Sequence, residues 1–599
     1  MDDPELERLI AGSGLFDPTW YAARNPDVGW TALDPSVHFR RYGLPLNRDP
    51  GPDFDARLYL AAHADVAAAG VAPFLHYLRH GRAEGRVCNP AQKLAADAVD
   101  SLAAHLWGGR EDAAPGLLRA IMDDWAAWPG ARFAAAVHLA VWTDFCGDAE
   151  TALSLLDTAG SLSPVQAGHS SLTIRRALLL HRLGHADAAR AAIAATDPGL
   201  SGTADVCLVR ATVAGDPAET LAALNAIWTA AGLANVAMTG PAGFAGLDAA
   251  SSAQPAPDVG TVSVIVPAHD AASTLPFALR ALMAQSYRNL DILVVDDASR
   301  DDTAAVAARH AAADPRIRLI RSDQNLGPYG ARNLGLAAAR GAFVTTHDAD
   351  DWSHPQKIAL QLAALIGDPS VAGTLSDWIR VHPDLTVSPG WRLNDDIVHW
   401  SHPSFLFRRE AAGAAGWDEV RVGADTELIW RIEARLGEAA VRRVLPGVPL
   451  ALALESPGSL TRTARTHARS LYHGLRHYYR EICRFRHRQG TADDDRTGRW
   501  RKMLPEEMVR RDAPAPEVDR IVIGDCRLPA HVQRMREQLR PGHRLGVAHR
   551  PEIAVPARLA DLGVRFCDAF FALVEQPDVV ILLPDQIDPR VPTVTLGGD

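Results

Sequence analysis

The chain has 599 residues, and its 47% hydrophobic and 22% charged residues are the composition of an ordinary globular protein. A chain of this length has room for roughly three to five domains. A formal net charge of −11 argues against nucleic acid as the main partner. The six cysteines lie far apart without a CxxC pair, which argues against a disulfide framework or a zinc site.

The chain begins with an acidic stretch that has no apolar signal core, and no apolar run approaches the roughly 20 residues that a membrane-spanning helix needs. The longest candidate, residues 444–454, is too short and contains two prolines. Widely spaced cysteines fit reduced thiols. We therefore expect a cytoplasmic protein without a transmembrane segment.

Residues 1–90 contain a tandem repeat. Phe16-Asp-Pro-Thr-Trp-Tyr21 recurs 38 residues later as Phe54-Asp-Ala-Arg-Leu-Tyr59, and His38 recurs as His76. A histidine flanked by aromatic residues at a fixed place in a repeat is more often structural than a metal ligand. The pattern resembles the short FDxxWY…PDV…HYxxxG repeats found beside bacterial polysaccharide glycosyltransferases, which implies a small helical module for docking or assembly.

Residues 91–239 are rich in alanine and leucine at helical spacing, which predicts an α-helical region. Segments that begin at Gly147, Gly184 and Gly215 lie 37 and 31 residues apart, close to the period of about 34 of tetratricopeptide-type helix pairs. Stacked pairs would offer a concave face to a protein partner, and an irregular helical spacer is the alternative. The small residues of the segment 240–258 predict a linker.

From residue 259 onward, short β-branched runs alternate with helical patterns, which predicts βαβ units and a mostly parallel sheet. Two of the runs end in carboxylates: Ile292–Val295 is followed by Asp297, and Ala342–Thr346 is followed by Asp348 and Asp350. Right-handed crossovers place the carboxyl ends of parallel strands at the same edge of the sheet. Several carboxylates at that edge suit a divalent cation and the phosphates that it carries.

This pattern resembles the family 2 glycosyltransferases, which are inverting enzymes with the GT-A fold, over residues 259–490. Six segments stand in the family's order: VSVIVPAHD at 262–270, QSYRNLDILVVDDAS at 285–299, NLGPYGARNLGLAAARG at 325–341, HDADDW at 347–352, SHPSFLFRRE at 401–410 and GADTELIWR at 423–431. A DxD triplet alone is a weak signal, whereas six ordered segments are a strong one. The resemblance implies a Rossmann-like, mostly parallel α/β sheet that follows the all-α repeat modules.

The resemblance also implies a donor site for a nucleotide sugar. Pro267 and Asp297 would line the pocket of the nucleotide base, and Asp348 would contact the ribose or the sugar. Asp350, with Asp348, would bind Mn²⁺ or Mg²⁺, which would stabilise the charge of the departing nucleoside diphosphate. Arg332 would neutralise the diphosphate, with a salt bridge at the start of a helix as the alternative. A surface acidic turn is the alternative for the two DxD carboxylates.

Inversion requires a base on the face opposite the leaving group. Asp425 aligns with the family's base, although Ala424 stands where many relatives have glutamate. A cap on the following helix is the alternative role for Asp425, and Glu427 is the reserve candidate for the base. His402 matches a position near the acceptor in relatives. The QxxRW motif of processive synthases is absent after Asp425, so we expect one sugar to be transferred per encounter.

Two interpretations stay open for the basic and aromatic stretch at residues 462–488. It could meet anionic lipid headgroups or a charged glycan, or it could close the catalytic domain as a salt-bridged helix. Residues 515–599 alternate strand and helix and predict a small α/β unit. This unit has no glycine fingerprint, so we assign it no cofactor; it would be half of a Rossmann-like sheet or an assembly element.

The sequence thus predicts a multidomain protein with a metal-dependent, inverting, non-processive glycosyltransferase of the hexosyltransferase type. We expect a UDP-sugar donor, a glycan or lipid-linked acceptor in bacterial surface polysaccharide synthesis, and a protein partner for the N-terminal repeats. The expected location is the cytoplasm, with peripheral contact at the inner face of the membrane left open.

Two alternatives to an active glycosyltransferase stay open. One is a catalytically silent GT-A scaffold that acts through its helical repeats, and the presence of Asp348, Asp350 and Asp425 argues against it. The other is a nucleotidyltransferase on a similar sheet. Such enzymes carry a glycine-rich basic loop after the first strand, and the loop here is PAHDAAST.

Overall fold

The computed structural model of the protein describes residues 4–31, 33–163, 168–248, 255–388, 397–413, 415–455, 465–490, 499–511, 513–557 and 565–597. None of the helices in these ranges combines the length and the apolar character that crossing a membrane requires. The same ranges include all six cysteines, and no disulfide joins any of them.

The two N-terminal repeats fold in the same way. After α1 (Pro4–Ala11), each repeat forms three short helices and a π-helical turn: α2 (Pro18–Arg24), α3 (Asp27–Thr31), α4 (Pro35–His38) and the turn Phe39–Gly43, then α5 (Ala56–Ala62), α6 (Ala64–Ala69), α7 (Pro73–His76) and the turn Tyr77–Gly81. In each repeat a buried tyrosine hydroxyl lies at hydrogen-bond distance from the Nδ1 of the repeated histidine, 3.1 Å in Tyr21–His38 and 2.9 Å in Tyr59–His76. The histidines thus belong to the packing of the module.

The described residues between 90 and 230 form eight helices, which pack as consecutive neighbours: α8 (Pro90–Trp107), α9 (Ala114–Asp123), α10 (Pro129–Phe145), α11 (Ala149–Leu162), α12 (Ser170–Arg182), α13 (Ala186–Ala194), α14 (Ala204–Ala214) and α15 (Pro217–Ala230). Aspartates begin two of them, because Asp148 and Asp216 accept hydrogen bonds from otherwise unpaired first-turn N–H groups. Gly215, at φ 81°, ends α14 in the left-handed conformation.

A mixed, mostly parallel sheet of nine strands forms the centre of the molecule. Its strands are β3 (Val262–Ala268), β4 (Leu290–Asp297), β5 (Ile317–Ser322), β6 (Phe343–Thr346), β7 (Asp351–Ser353), β8 (Gly373–Val381), β9 (His399–Arg408), β10 (Val441–Arg443) and β11 (Pro449–Leu454). The spatial order is β5-β4-β3-β6-β9-β8-β11-β7, with β10 beside β8. β3, β4, β5 and β6 are parallel, and β9 and β7 run antiparallel to their neighbours.

Six helices accompany this sheet: α16 (Leu275–Met283), α17 (Thr303–Ala313), α18 (Gly327–Ala338), α19 (Lys357–Ile366), α20 (Ala424–Leu436) and α21 (Leu475–Arg488). Alternate residues of β3 pack on opposite faces of the sheet. Val264 and Val266 pack in one layer with α16, α17 and α19, whereas Ile265 packs with α18 and α20 in the other. A Cβ atom at Gly335 would lie 2.5 Å from Ile265 Cγ2, so glycine lets α18 lie close to the sheet.

A second, smaller sheet confirms the α/β pattern near the end of the chain. It is parallel throughout, in the order β14-β13-β12-β15, and contains β12 (Arg520–Gly524), β13 (Leu545–His549), β14 (Val579–Ile581) and β15 (Thr593–Thr595). The accompanying helices are α22 (Glu506–Val509), α23 (Pro529–Arg536) and α24 (Asp568–Val574). The Phe485 ring of α21 stacks on Phe571 of α24 with ring centroids 4.2 Å apart.

Helix α21 therefore packs against the domain of the nine-stranded sheet on one side and against the small C-terminal sheet on the other. The Tyr478 hydroxyl accepts the His549 N–H at 2.9 Å, and Arg486 pairs with Asp418 at 2.8 Å. This packing matches the closing-helix interpretation of the basic stretch. Arg462, which belongs to the same stretch, lies outside the described residues.

The prediction that residues 240–258 form a linker is wrong for the first half of this segment. β1 (Ala237–Met238) pairs with β2 (Leu247–Asp248), and the turn between them buries Phe244, whose N–H donates to the Pro383 carbonyl at 2.8 Å. Residues 249–254 lie outside the described residues. Because small residues also suit tight turns against a neighbouring surface, composition alone did not distinguish this hairpin from a flexible linker.

Candidate active site

The carboxylates predicted for the donor site lie at the carboxyl edge of the central sheet. β3 lies between β4 and β6, with Pro267 opposite Val295 and Ile265 opposite Thr346. The His347 N–H continues this pairing with a 3.0 Å hydrogen bond to the Ile265 carbonyl. The chain leaves the sheet at that point, so the DxD residues that follow are held at the edge.

Three carboxylates crowd this edge. Burial, together with the charge of Asp348, raises the pKa of the Asp350 carboxyl to about 6. Asp351 is buried, and its burial and the charges of Asp350 and Asp348 raise its pKa well above the usual value. These carboxylates repel each other when they are ionised, so a divalent cation bound to them would be stabilising.

The donor set fits Mg²⁺ or Mn²⁺ that also binds phosphate. No described group of three or more His, Cys, Asp or Glu side chains forms a complete metal-binding set. Mg²⁺ is usually held by one or two carboxylates and completes its shell with water and substrate phosphates. Asp348 and Asp350 supply that number.

Arg332 lies in the middle of α18 and not at the start of a helix. Its guanidinium donates to Asp348 Oδ1 at 2.9 Å and lies over the Tyr329 ring, 5.1 Å from the centroid. The side chain is 4% exposed, and its Nε has no hydrogen-bond partner within the described residues. The structure thus brings together Arg332 and Asp348, which the sequence predicted to share the donor site.

Asp297 holds the loop that precedes α18. Its two carboxylate oxygens accept the N–H groups of Leu326 and Gly327 at 2.7 and 2.9 Å, and its side chain is almost fully buried. Burial raises the pKa of Asp297 against the effect of these hydrogen bonds. Pro267 is half-buried one strand away. A contact of either residue with a nucleotide base stays a prediction.

Asp425 lies at the start of α20. Gly423, at φ 91°, begins this helix, and its N–H donates to the Tyr329 hydroxyl at 3.0 Å. Gly423 occupies the N-cap position, so Asp425 is the second residue of the helix and not its N-cap. Its carboxylate accepts only the Thr426 N–H at 2.8 Å among the described groups.

The surroundings of Asp425 keep its carboxylate ionised. Burial raises the pKa of Asp425, but His402, Arg332 and other neighbours hold it below its usual value. Burial lowers the pKa of the His402 imidazole, and the charge of Asp425 acts in the opposite direction. Arg332 and Arg476 also lower the pKa of Asp425. A contact of His402 with the acceptor stays a prediction.

Glu427, the reserve candidate for the base, lies elsewhere. Two positions along a helix correspond to about 200° of rotation, so Glu427 faces away from Asp425. Its side chain is 1% exposed, and its Oε1 lies 3.2 Å from the Arg431 Nε and 3.1 Å from the His487 Nε2. The structure corrects this assignment, because Glu427 takes part in the packing between α20 and α21.

Four residues that the sequence analysis did not assign surround the same space. They are Asp351 on β7, Lys357 on α19, Arg380 on β8 and Arg476 on α21. Burial lowers the pKa of the Lys357 ammonium to about 8, against the attraction of Asp351 and Asp348. No spacing in the sequence connects these positions, because they come from separate elements that only the sheet brings together.

Residues 263–409 match the model of Glycosyl transferase family 2. These residues form a family 2 glycosyltransferase domain. The succinoglycan biosynthesis protein ExoO of Rhizobium meliloti (strain 1021) is 43% identical over 97 residues, which are 16% of this chain and 27% of that protein. The glycosyltransferase WfgD of Escherichia coli, described as UDP-Glc:alpha-D-GlcNAc-diphosphoundecaprenol beta-1,3-glucosyltransferase, is 32% identical over 105 residues, 18% of this chain and 41% of that protein.

The family match lies within the central part of the chain. The match spans well under half the length of either relative. Among solved structures, S. aureus TarS 1-349 in complex with UDP is 20% identical, covers 41% of this chain and 76% of its own, and has a TM-score of 0.28. The helical repeats and the small C-terminal sheet lie outside the residues that match the family.

Proposed function

We propose that the protein is a metal-dependent, inverting glycosyltransferase that moves one sugar from a nucleotide-diphosphate sugar to a hydroxyl acceptor in bacterial surface polysaccharide synthesis. The observation that supports this proposal most strongly is the single space that Asp348, Asp350, Arg332 and Asp425 share. Arg332 is bonded to Asp348, the charge of Asp348 acts on Asp350, and the charge of Arg332 also acts on Asp425.

On the donor side, Asp350 and Asp348 would hold the metal ion, which would supply positive charge to the diphosphate as it leaves. Arg332 is bonded to Asp348 and keeps one guanidinium nitrogen without a protein partner among the described residues. That nitrogen is suited to donate a charge-assisted hydrogen bond to a phosphate oxygen. Leu326 and Gly327, which Asp297 holds, would shape the wall beside the nucleotide.

On the acceptor side, Asp425 would accept the proton of the attacking hydroxyl. A depressed pKa keeps its carboxylate available at neutral pH, and its partial burial limits competition from water. The His402 imidazole would form a hydrogen bond with the acceptor sugar. Attack opposite the leaving diphosphate inverts the anomeric carbon.

The relatives support the choice of substrates. One of them is described as a succinoglycan biosynthesis protein, and the description of another names a UDP-sugar donor and a diphosphoundecaprenol-linked acceptor. We therefore propose a UDP-sugar donor and a glycan or lipid-linked acceptor for this chain. The N-terminal repeats would bind a protein partner.

The test is nucleotide release from a panel of UDP-, GDP- and dTDP-sugars with Mn²⁺, measured on the wild type and on Asp350→Asn. We expect one donor to be hydrolysed slowly without acceptor, and both EDTA and the substitution to abolish this release. Asp248→Asn, in the β1–β2 hairpin outside the site, is the control and should retain it. If the folded wild type neither binds nor cleaves any donor, the scaffold alternative replaces the enzyme.

A further inference from the structure

The neighbouring strands β8, β11 and β7 present one face next to the DxD carboxylates. This face is called the floor below. In the order β8-β11-β7, Arg380 lies opposite Ala453 and Ala453 opposite Asp351. Paired residues on adjacent strands point to the same face, about 4.8 Å apart per strand. Arg380 and Asp351 thus stand on the two sides of the Ala453 methyl group, and Ala453 and Ala451 pack with the Trp378 side chain.

The next row of this floor is polar as well. Trp378 lies opposite Ala451, and Ala451 lies opposite Ser353. The Trp378 Nε1 and the Ser353 Oγ are buried and have no hydrogen-bond partner among the described residues. Because a buried donor without a partner costs free energy, such atoms indicate a site that a polar ligand fills.

The other face of the same strands is closed. Ile379, Leu452 and Trp352, which alternate with the floor residues, pack into one apolar cluster with Trp228 of α15. The Trp228 and Trp352 rings lie 5.9 Å apart, and the Trp228 Nε1 donates to the Pro449 carbonyl at 2.8 Å. The helical region thus seals one face of the strands, so a ligand has access only to the polar floor.

Two guanidinium groups face the space above the floor. Arg380 lies over the Trp378 ring, 4.8 Å from its centroid, and is half-buried. Arg476 reaches the space from α21 and is half-buried, with its Nε shielded from solvent. Within the described part of the chain, neither side chain forms an ion pair or a side-chain hydrogen bond, whereas Arg332 is bonded to Asp348.

The guanidinium groups of Arg380 and Arg476 have different acidic neighbours. Arg380 is close enough to Asp351 and Asp350 for their charges to raise its pKa, although burial lowers that pKa more. Burial likewise lowers the pKa of Arg476, and Tyr329 and Asp425 raise it. On the strands, Arg380 lies one residue pair from Asp351, beside the DxD carboxylates. Arg476 precedes Tyr479 by three residues on α21, and the Tyr479 ring lies 3.3 Å from the place of a Cβ atom at Gly423, two residues before Asp425.

We propose that Arg380 and Arg476 form an anion-binding subsite that recognises an acidic sugar, one that carries a carboxylate or a phosphate substituent. This inference rests on the proposed glycosyl transfer and names the substrate class. The acid group would lie between the two guanidinium groups, which otherwise repel each other, and the Trp378 N–H and Ser353 hydroxyl would bind sugar hydroxyls. The acidic sugar is either the transferred residue or the acceptor.

The experiment compares acidic and neutral sugars in both positions. The donor arm uses UDP-glucuronic acid against UDP-glucose, and the acceptor arm uses methyl glucuronide against methyl glucoside. We expect the wild type to prefer the acid in one arm, and Arg380→Gln or Arg476→Gln to reduce that preference by about 10- to 100-fold, the range for one hydrogen bond to a charged group. Arg380→Lys and Arg476→Lys, which keep the charge, should retain part of it.

Arg484→Gln is the matched control, because Arg484 lies on the same helix and pairs with Glu481 at 3.4 Å. It should leave the preference unchanged. Equal turnover of acidic and neutral sugars by the wild type would overturn the subsite and leave the proposed function intact. An equal loss of UDP affinity in both Gln variants, measured by calorimetry, would also overturn it, because the pair would then bind the diphosphate.

Direct binding separates failure of the subsite from failure of the proposed function. If no donor is turned over but methyl glucuronide binds the wild type and not the Gln variants, the anion subsite stands without the transfer activity. If methyl glucuronide and methyl glucoside bind equally weakly to the folded wild type and to both variants, and acid preference is absent in turnover, the subsite is rejected.

Discussion

Asp425 and Glu427 are two residues apart on α20, and their carboxylates have opposite surroundings. Asp425 is half-buried beside His402 and Arg332, and among the described groups it accepts one hydrogen bond, from the Thr426 N–H. Glu427 is fully enclosed and contacts Arg431 and His487. A group that meets the substrate must be accessible, and the Glu427 carboxylate, which is 1% exposed, is not.

Substitution of these two residues should therefore give opposite results. Asp425→Asn should lower acceptor-dependent transfer by about 10²- to 10⁴-fold, because the base is lost, and should leave the melting temperature and donor binding unchanged. Glu427→Gln should instead lower the free energy of unfolding by about 1–3 kcal/mol, because a buried charge-assisted contact is lost. Steady-state kinetics and thermal unfolding of both variants measure this contrast, and a catalytic defect in a fully stable Glu427→Gln would contradict it.

Metal binding should depend on pH through Asp350. A metal ligand must be deprotonated, and burial with the charge of Asp348 raises the pKa of Asp350 to about 6. Protons therefore compete with the metal below that value, so Mn²⁺ affinity should rise as pH increases toward 6 and level off above it. Titration calorimetry from pH 5 to pH 8, with Asp350→Asn as control, tests this. Affinity that does not change between pH 5 and pH 7 would contradict the assignment.

At the scale of elements, helix α14 holds the chain that leads into the acceptor side of the site. Asp205, near its start, accepts the N–H groups of Ile397 and Val398 at 3.2 and 2.9 Å. Thr212, near its end, accepts the Val387 N–H at 3.2 Å. β9, which carries His402, begins at His399. The helical region thus supports the chain before the strand that carries His402.

Loss of this support should affect the acceptor more than the donor. Asp205→Ala removes both hydrogen bonds to the chain before β9, so we expect the KM for the acceptor to rise several-fold while donor hydrolysis without acceptor is unchanged. Asp187→Ala, which removes a fully exposed carboxylate on α13, is the control and should change neither quantity. An equal fall in donor hydrolysis for Asp205→Ala would show a general loss of structure and contradict a local role.

At the scale of the whole molecule, one apolar core joins the catalytic domain to the small C-terminal sheet. It extends from Ile265 on β3 through Tyr478 on α21 to Phe571 on α24. Because the parts bury their apolar surfaces against each other, they should unfold together and not as separate domains.

The variant Phe571→Ala tests whether the two parts share this core and unfold together. Truncation of a buried phenylalanine costs about 3–5 kcal/mol, and here it should lower the temperature at which transfer activity is lost, although Phe571 is far along the chain from the catalytic residues. Trp30→Ala, at a side chain that is 83% exposed, should change stability by no more than about 0.5 kcal/mol. Unfolding of Phe571→Ala in two steps, with activity lost only in the unshifted step, would contradict a shared core.

Much of the fold could be predicted from local pattern. The runs at 262–266, 292–295 and 317–320 became β3, β4 and β5, and the helical periodicities between them became α16 and α17. The tandem repeat is visible in the sequence at a spacing of 38 residues, and the pairs Tyr21–His38 and Tyr59–His76 form the same contact in both copies. Where composition was the main signal, as in the hairpin that contains Phe244, the prediction failed because small residues serve both linkers and tight turns.

The sequence by itself determined the elements of the sheet, the carboxylates at its edge and the family of the domain, because strand alternation, helix periodicity and short motifs are local along the chain. Only the tertiary structure decided which charges share a space. Arg380, Asp351 and Arg476 come from β8, β7 and α21, and their proximity depends on strand order and helix packing, which no spacing in the chain encodes. The same holds for Asp205, whose role depends on a contact with residues almost 200 positions away.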